Sequence, residues 1–195
     1  RGLGDVYKRQ LSIQGPIKPT TSVSIDGSLS SQYISALLLI SCGLHDDQAT
    51  CEEITIDGTL VSKPYVDITI NEMKKRGVKP QWENSRTIKI DRDSHYKAVN
   101  LAIEGDATAA SYAASLACLH KSKVKFTNLG SNTRQGDYRF FEILEMLGAE
   151  VTRNITSTSI SGPERLTSFK CIDMQTMPDV ALTLIALAPL LDGDL

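Results

Sequence analysis

The feature that most constrains the fold of this chain is a strand and helix pattern that repeats over a long period. From Val23, an alternating strand precedes a helix that is apolar on most faces, a second strand, a second helix and two short strands joined by a turn. The pattern then starts again, and the acidic residues Asp26, Glu104 and Asp179 that mark it lie 78 and 75 residues apart. Such a period exceeds that of solenoid repeats and indicates duplication of a whole β-α-β-α-β-β folding unit.

Residue patterns predict the individual elements. The second helix has Pro64 in its first turn and Gly77 at its end, both favoured at those positions. An Asn84–Ser85 turn joins the two short strands that follow. Helices that are apolar on most faces are expected to be buried on both sides, between sheets. The predicted helices span 30–43, 62–77, 107–120, 135–148 and 178–191, and the predicted strands lie within 22–25, 51–57, 78–90, 98–106, 123–129, 149–154, 157–162 and 169–175.

The composition is that of an ordinary soluble globular protein, with 41% apolar and 23% charged residues. A net charge of −2 gives no sign of the basic face that is typical of nucleic-acid-binding proteins. No apolar run approaches the roughly 20 residues of a membrane span, and the N-terminus lacks the apolar stretch of a signal peptide. We therefore expect a cytoplasmic protein that binds neither nucleic acid nor membrane.

The spacing of cysteine and histidine predicts no metal site. The four cysteines contain no C-x-x-C pair, so we expect reduced, mostly buried thiols in a reducing compartment. The three histidines have no spacing typical of metal ligands and no cysteine partner. The residues concerned are Cys42, Cys51, Cys118, Cys171, His45, His95 and His120.

The helix after the first strand begins with many hydroxyl groups. Ser28, Ser30 and Ser31 precede or open it, and Gln32 follows them. One serine is enough to cap the unpaired backbone N–H groups of a helix start. A bound phosphate would instead use several N–H and hydroxyl donors together with the helix dipole. Spacing alone favours a cap, although Gln32 adds an amide donor that a cap does not need.

Two further helix starts carry polar side chains at corresponding places. Ser62 precedes Pro64, with Tyr65 just inside the helix, and Asp179 opens another apolar helix. Taken singly, these residues are explained as a serine cap, a core aromatic and a carboxylate that complements the helix dipole. Three such polar helix starts in one chain make three separate structural explanations less convincing.

Five motifs occur in an order that identifies a family. They are DGSLSSQY (26–33), SKPYVDIT (62–69), EGDATAASY (104–112), RQGD (134–137) and PDVALT (178–183). With this ordered set, the chain from about Leu11 to Leu195 resembles the 5-enolpyruvylshikimate-3-phosphate synthase family, the enolpyruvyl transferases of the shikimate pathway. Each motif alone is weak, but the ordered set is highly specific.

The resemblance implies an α/β architecture: a two-domain inverse α/β, barrel-like fold of repeated β-α-β-α-β-β units, with the active site in the cleft between the domains. Residues 11–104 would form the C-terminal part of the first domain. Residues 105–195 would form the first part of the second domain, so the enolpyruvyl transferase fold would be incomplete here. Residues 1–10 fit none of the patterning and are expected to be a non-native or flanking segment.

The resemblance also implies roles for the candidate residues of the first domain. Ser30, Ser31 and Gln32 would hold shikimate 3-phosphate, with Gln32 also close to phosphoenolpyruvate. Ser62 would join the phosphate site, and Tyr65 would lie against the shikimate ring.

Asp179 would face the shikimate hydroxyls and accept a proton. The implied reaction adds the 5-hydroxyl of shikimate 3-phosphate to the central carbon of phosphoenolpyruvate, after which phosphate leaves, on the route to chorismate and the aromatic amino acids. A carboxylate beside the hydroxyl supplies general-base help. No metal or organic cofactor is expected, and the protein is expected to be a monomer.

Several segments of the family are not found in this chain: the N-terminal Lys and Arg phosphate ligands, the Gly-rich phosphoenolpyruvate segment and the C-terminal Lys and Arg cluster. We therefore expect an internal fragment that is inactive on its own. One alternative is the UDP-N-acetylglucosamine enolpyruvyl transferase of peptidoglycan synthesis, although the SSQ and SKPY motifs argue against it. The other is a non-catalytic ligand-binding or scaffolding remnant of the fold.

Overall fold

The computed structural model describes residues 12, 14, 15, 20–42, 51–91, 93–168 and 171–192. The predicted flanking segment 1–10 lies outside the described residues, as do His45 and the first two residues of the strand predicted within 169–175.

The first unit contains a four-stranded sheet and two helices. The strand order is β1-β2-β4-β3, with β1 parallel to β2 and the other two pairings antiparallel. Its elements are β1 (Ser22–Asp26), α1 (Ser31–Ser41), β2 (Glu53–Asp57), α2 (Lys63–Lys75), β3 (Gln81–Trp82) and β4 (Thr87–Lys89). The β-α-β-α-β-β order predicted for the first copy is confirmed.

The parallel pairing of β1 with β2 brings both helix starts to one edge of the sheet. The register runs from Ser22 opposite Glu53 to Asp26 opposite Asp57. Each strand is followed by a helix, so α1 and α2 begin at the carboxyl ends of neighbouring parallel strands. Apolar side chains of the two helices form one cluster with the sheet, consisting of Ile34, Leu38, Val66, Ile70 and Met73 together with Ile54, Ile56 and Ile88.

The second unit has the same sheet topology without its opening strand. Its strand order is β5-β7-β6, and both pairings are antiparallel. The strands β2-β4-β3 of the first unit have the same relative order and directions. The elements are α3 (Ala107–Leu119), β5 (Lys123–Phe126), a 3₁₀ turn (Gly136–Arg139), α4 (Phe140–Met146), β6 (Glu150–Arg153) and β7 (Thr158–Ser161). This match of topology confirms the repeat.

The third copy begins with a helix in three pieces. A 3₁₀ turn (Pro178–Val180) leads into α5 (Ala181–Leu187), and a second 3₁₀ turn (Ala188–Leu190) follows. The sequence predicts one helix over 178–191, so its extent is right but its regularity is wrong. Pro189 lies in the last piece, where its missing N–H prevents continuation of the α-helical pattern.

The strands predicted to open the second and third copies are absent from the described residues. Residues 98–105 and 171–175 form no strand. Gly105 N–H donates to the Asn128 carbonyl at 2.8 Å, but Val99, Leu101 and Ile103 remain exposed. A strand needs a neighbour that pairs along its length, and neither described segment has one.

The prediction that the apolar helices are buried on both sides is wrong for the part of the chain that the structure describes. Leu39 of α1, Leu116 of α3 and Ile185 of α5 are 50%, 55% and 64% exposed. Each of these helices therefore leaves apolar side chains exposed; α1 is buried within the first unit, whereas α5 packs with α3 in the apolar cluster of the second unit.

Cys42 and Cys118 are buried, Cys51 is half-buried and Cys171 is exposed, and all four are free thiols. The prediction of mostly buried thiols is thus only partly met. Burial raises the pKa of the Cys118 thiol to about 11. Within the described ranges, we find no helix with the length and apolar character needed to cross a membrane.

Gly162, just after β7, provides a test of the packing of α3. A β-carbon on Gly162 would collide with the Ala117 carbonyl and lie 2.7 Å from the Cys118 α-carbon, both parts of a helix backbone. We expect Gly162→Ala to lower the free energy of unfolding by about 1–3 kcal/mol, as overpacking usually does. Thermal melting measures this change. Gly15→Ala, where no described atom lies within 4 Å of the added carbon, is the control, and equal melting temperatures for the two variants would contradict the packing argument.

Candidate active site

Two loops, one after each parallel strand of the first unit, lie directly against each other. Val61 N–H donates to the Gly27 carbonyl at 3.1 Å, and Gly27 N–H donates to the Asp57 carbonyl at 2.9 Å. A β-carbon on Gly27 would lie only 2.5 Å from Cγ2 of Ile56, so this approach requires a residue without a side chain. The starts of α1 and α2 are therefore held side by side.

At the start of α1, the cap needs only one of the serines. Ser30 Oγ accepts a hydrogen bond from Gln32 N–H at 3.2 Å. Ser28 is engaged elsewhere, because its Oγ and N–H donate to Asp26 Oδ1 at 2.6 and 2.8 Å and so lower the pKa of that carboxyl. Ser31 is buried and the Gln32 side chain is exposed. The capping explanation thus applies to Ser30 and leaves Ser31 and Gln32 unexplained.

At the start of α2, Ser62 has a conformation that helix formation does not require. Its φ of 52° and ψ of 42° lie in the left-handed region, and its side chain makes no capping hydrogen bond. The simple cap predicted as one explanation for Ser62 is therefore wrong. A residue with a β-carbon in this region costs on the order of 1–2 kcal/mol, and such strain is concentrated at functional positions.

The first turns of α2 also hold a closed group of three side chains. Lys63 Nζ lies 2.7 Å from Asp67 Oδ2 and 4.7 Å from the centre of the Trp82 ring. Trp82 Nε1 donates to Asp67 Oδ1 at 2.8 Å. Lys63 is thus engaged with Asp67, although it directly follows Ser62 in the chain.

Tyr65 and Asp179, which come from the first and third copies of the repeat, are in direct contact. The Tyr65 hydroxyl donates to Asp179 Oδ2 at 2.8 Å. Burial of the phenol and, next, this hydrogen bond raise the pKa of Tyr65 well above its ordinary value. Tyr65 is therefore a fixed hydrogen-bond donor at neutral pH and is not the plain core aromatic of the alternative explanation.

A buried carboxyl beside this pair was not among the predicted site residues. The Asp137 side chain is 4% exposed and accepts a hydrogen bond from Thr108 Oγ1. Burial raises the pKa of Asp137, the Thr108 hydrogen bond opposes this, and the nearby charges of Asp179 and Asp106 raise it further. The signal in the sequence was the RQGD motif, which served for the resemblance but whose residues were given no role in the site.

The start of α3 corresponds to that of α1, yet its own side chains fill it. Asp106 Oδ1 accepts from Thr108 N–H at 2.9 Å. Gln135 Oε1 accepts from Ala107 N–H, and Gln135 Nε2 donates to the Gly105 carbonyl, both at 2.8 Å. A carboxylate and an amide oxygen here occupy the N–H groups that an anion would use. The two units therefore differ in chemistry where their topology is the same.

A cleft of about 730 Å³ lies between the units. Its walls are α2, the segment 101–106 and the segment 132–137, and Tyr65 is the one predicted site residue among its lining residues. Tyr65 connects this cleft to Asp179. Ser62 precedes the helix that contains Tyr65, and its loop lies beside the loop that contains Ser30, at the start of α1. Across the described residues, no group of His, Cys, Asp and Glu side chains is arranged to hold a metal ion.

The strain at Ser62 can be measured. Ser62→Gly should raise the free energy of unfolding by about 0.5–1 kcal/mol, because relief of the left-handed strain exceeds the extra flexibility of glycine in the unfolded chain. Lys121, with φ 50°, is the matched control, and Lys121→Gly should give a similar gain. A loss of stability in Ser62→Gly, with the expected gain in Lys121→Gly, would show that contacts of the Ser62 side chain outweigh the strain.

The burial of Asp137 predicts a pH-dependent stability. Since its pKa is higher in the folded state than in the unfolded state, ionisation of Asp137 lowers stability as the pH rises through the folded-state pKa. Asp137→Asn keeps an acceptor for Thr108, so it should melt at a higher temperature than the parent at pH 7. This difference should close as the pH falls below the ordinary aspartate pKa of about 3.9. A constant difference between pH 7 and pH 3.5 would contradict this account, and Asp93→Asn at an exposed position controls for loss of a surface charge.

Comparisons with known proteins agree with this architecture. Solved structures with the same fold include the enolpyruvyl transferase NikO from Streptomyces tendae, with a TM-score of 0.64 at 17% identity, covering 98% of this chain and 49% of that one. An EPSP synthase structure from Acinetobacter baumannii has a TM-score of 0.66 at 18% identity, covering 90% of this chain and 40% of that one. These neighbours support the enolpyruvyl transferase fold expected from the sequence.

Curated relatives are closer in sequence. The 3-phosphoshikimate 1-carboxyvinyltransferase of Pseudoalteromonas atlantica is 33% identical over 94% of this chain, and that of Neisseria meningitidis is 38% identical over 85%. The chain spans about two fifths of their length, 42% and 38% respectively. The family model for EPSP synthase (3-phosphoshikimate 1-carboxyvinyltransferase) matches residues 4–195. The chain therefore belongs to the EPSP synthase family.

Proposed function

We propose that this chain is part of a protein that transfers the enolpyruvyl group of phosphoenolpyruvate to the 5-hydroxyl of shikimate 3-phosphate and releases phosphate. Membership of the EPSP synthase family supports this reaction. The two curated relatives named above are both 3-phosphoshikimate 1-carboxyvinyltransferases, so the UDP-sugar alternative is not favoured. The observation within the chain that supports it best is the contact between Tyr65 and Asp179 beside the paired helix starts.

The proposed phosphate site lies at the starts of α1 and α2. Helix starts provide unpaired N–H groups and a positive dipole end, and serine hydroxyls add further donors. Ser30, Ser31 and Ser62 belong to two loops joined by the Val61 to Gly27 hydrogen bond, which supports their acting on one anion. Gln32 would reach toward both substrates. The filled start of α3 supports placing this anion in the first unit.

Asp179 is proposed as the general base. When the 5-hydroxyl oxygen bonds to the central carbon of phosphoenolpyruvate, the hydroxyl proton passes to the Asp179 carboxylate, and the electron pair of the C=C bond takes up a proton at the terminal CH₂ carbon. One proton is then lost from the resulting methyl group, which re-forms the C=C bond as phosphate leaves with the electrons of its C–O bond. Tyr65 donates to Asp179 Oδ2, which leaves Oδ1 to face the substrate. The Tyr65 ring would lie against the shikimate ring.

The reaction as written needs no redox group, so no organic cofactor is proposed. We expect the full-length protein to work as a monomer in the cytoplasm, as the resemblance implies. Because the chain spans about two fifths of its relatives, cationic groups from the rest of that protein would neutralise the phosphates. Loss of one electrostatic donor commonly lowers the rate by about 10²–10³.

The decisive experiment is a phosphate-release assay on the full-length protein with both substrates. Release that requires both substrates, together with formation of the enolpyruvyl ether, would support the proposed function. Residues 1–195 alone should show negligible turnover. Absence of turnover in the full-length protein would contradict the proposal and favour the non-catalytic remnant.

The role of Asp179 is tested by Asp179→Asn in the full-length protein. Asparagine keeps the shape but cannot accept the proton, so turnover in single-turnover kinetics should fall by roughly 10²–10⁴. Binding of shikimate 3-phosphate should change far less, because the serines hold its phosphate. If Asp179 only complements the helix dipole, turnover would be near normal and stability would fall by about 0.3–1 kcal/mol.

A further inference from the structure

We propose that the 3₁₀ turn Gly136–Arg139 of the second unit is a positioning element for Asp179, which it holds in place through Thr176. The proposal rests on the proposed function, in which Asp179 acts on the substrate hydroxyl. It concerns residues that none of the predicted roles included. Three contacts of the described residues carry it.

The first contact is a close backbone approach. A β-carbon on Gly136 would lie 2.9 Å from the Thr176 carbonyl oxygen, closer than side-chain carbons come to such atoms. Gly136 has no left-handed φ, so backbone freedom does not explain the glycine. The absence of a side chain is what lets the turn pack directly against residue 176.

The second contact holds Thr176 by its side chain. Arg139 Nη1 donates to Thr176 Oγ1 at 3.0 Å. The guanidinium also lies 3.6 Å from Glu142 Oε2, in a loose exposed ion pair. An exposed hydrogen bond contributes little to the stability of the fold. Its importance here is that it fixes the orientation of Thr176. Arg139 holds the side chain of that residue, while Gly136 packs against its backbone carbonyl.

The third contact makes the turn itself rigid. Asp137 is buried and bonded to Thr108 Oγ1 of α3. The Tyr138 hydroxyl lies 2.6 Å from Thr158 Oγ1 of β7, which in turn donates to the Leu129 carbonyl at 2.9 Å. The 3₁₀ turn is thus tied to a helix and to a strand of its own unit, so it provides a fixed surface for Thr176.

Only two residues separate Thr176 from Asp179, and they leave little freedom between them. Met177 is 2% exposed, its N–H donates to the Met174 carbonyl at 3.0 Å, and Pro178 follows with a fixed φ. Val180, on the other side of Asp179, is fully buried. A displacement of Thr176 therefore moves the Asp179 backbone. Tyr65, which is held on α2, keeps its own position, so the Tyr65 to Asp179 bond reports the displacement.

The test compares Thr176→Val, Thr176→Ser and Gly136→Ala in the full-length protein. Valine removes the acceptor for Arg139 at nearly constant shape, serine keeps it, and alanine at 136 pushes the Thr176 carbonyl away. A misplacement of about 1 Å remote from the chemistry can lower a rate by about 100-fold. We expect kcat to fall about threefold to tenfold in Thr176→Val and about tenfold to 100-fold in Gly136→Ala. KM for shikimate 3-phosphate should stay within about twofold, and Thr176→Ser should retain wild-type kcat.

Two matched controls separate positioning from a general loss of stability. Glu142→Gln removes the other partner of Arg139 but keeps the Thr176 bond. Thr167→Val removes another exposed threonine hydrogen bond, which Oγ1 donates to the Met146 carbonyl at 3.1 Å, away from Asp179. Both should leave kcat unchanged. On an Asp179→Asn background, Thr176→Val should cause no further loss, since a positioning residue has nothing left to position.

A spectroscopic readout keeps the inference independent of the proposed function. Tyrosine is labelled at ¹³Cζ, and the NMR signal of Tyr65 is assigned by its loss in Tyr65→Phe. Thr176→Val and Gly136→Ala should change the chemical shift of this signal, and Glu142→Gln should leave it unchanged. An unmoved Tyr65 signal with wild-type kcat in Thr176→Val and Gly136→Ala would overturn the positioning role. A wild-type protein without transferase activity would refute the proposed function, and the Tyr65 signal would still decide the positioning of Asp179.

Discussion

The parallel pairing of β1 with β2 is the constraint on which the candidate site depends. A parallel pair requires a crossover, so both strands end at the same edge and both helices begin there. Gly27 then lets the two loops approach until their backbones hydrogen-bond. An antiparallel pair would place the two helix starts at opposite edges. The two serine-bearing loops, about 30 residues apart in the chain, are thus brought side by side by backbone geometry.

Duplication has preserved topology while changing chemistry. The strands β2-β4-β3 and β5-β7-β6 share order and direction, and α1 and α3 begin at corresponding points. Ser30 caps the first helix, whereas Asp106 caps the second and Gln135 closes the adjacent space. One unit offers hydroxyl and N–H donors, and the other surrounds Asp179 with carboxylates. The proposed phosphate site and the proposed proton acceptor thus lie in different copies of the repeat.

Local patterns predicted most elements of the fold, because the residues that start, form and end such an element lie within its own segment of the chain. Alternation identified β1 and β2, Pro64 and Gly77 bounded the second helix, and the turn at Asn84 separated β3 from β4. The prediction of strands that open the second and third copies was wrong. A strand also needs a neighbouring strand with which to pair, and no local pattern shows whether one is present. The prediction that the helices are buried on both faces was wrong for the same reason, because the sequence shows that a surface is apolar but not what packs against it.

The candidate site was predictable only where a motif marked it. The motifs selected Tyr65 and Asp179, yet their contact spans 114 positions and no spacing argument reaches that far. Asp137 was missed because its burial comes from docking of a turn onto α3. Likewise, the strain at Ser62 lies in its backbone conformation, and a serine in the sequence gives no sign of a left-handed φ.

The group formed by Trp82, Asp67 and Lys63 gives the protein an optical probe of its own. Trp82 is the one tryptophan of the 195-residue chain, so its fluorescence belongs to a single known place. Its indole N–H is bonded to Asp67 and its ring lies under the Lys63 ammonium, beside the start of α2. Indole emission is sensitive to the hydrogen bonds and charges around the ring, and Lys63 directly follows Ser62. We therefore expect an anion that draws the Lys63 charge away from the ring to change the emission, without a dye or an engineered label.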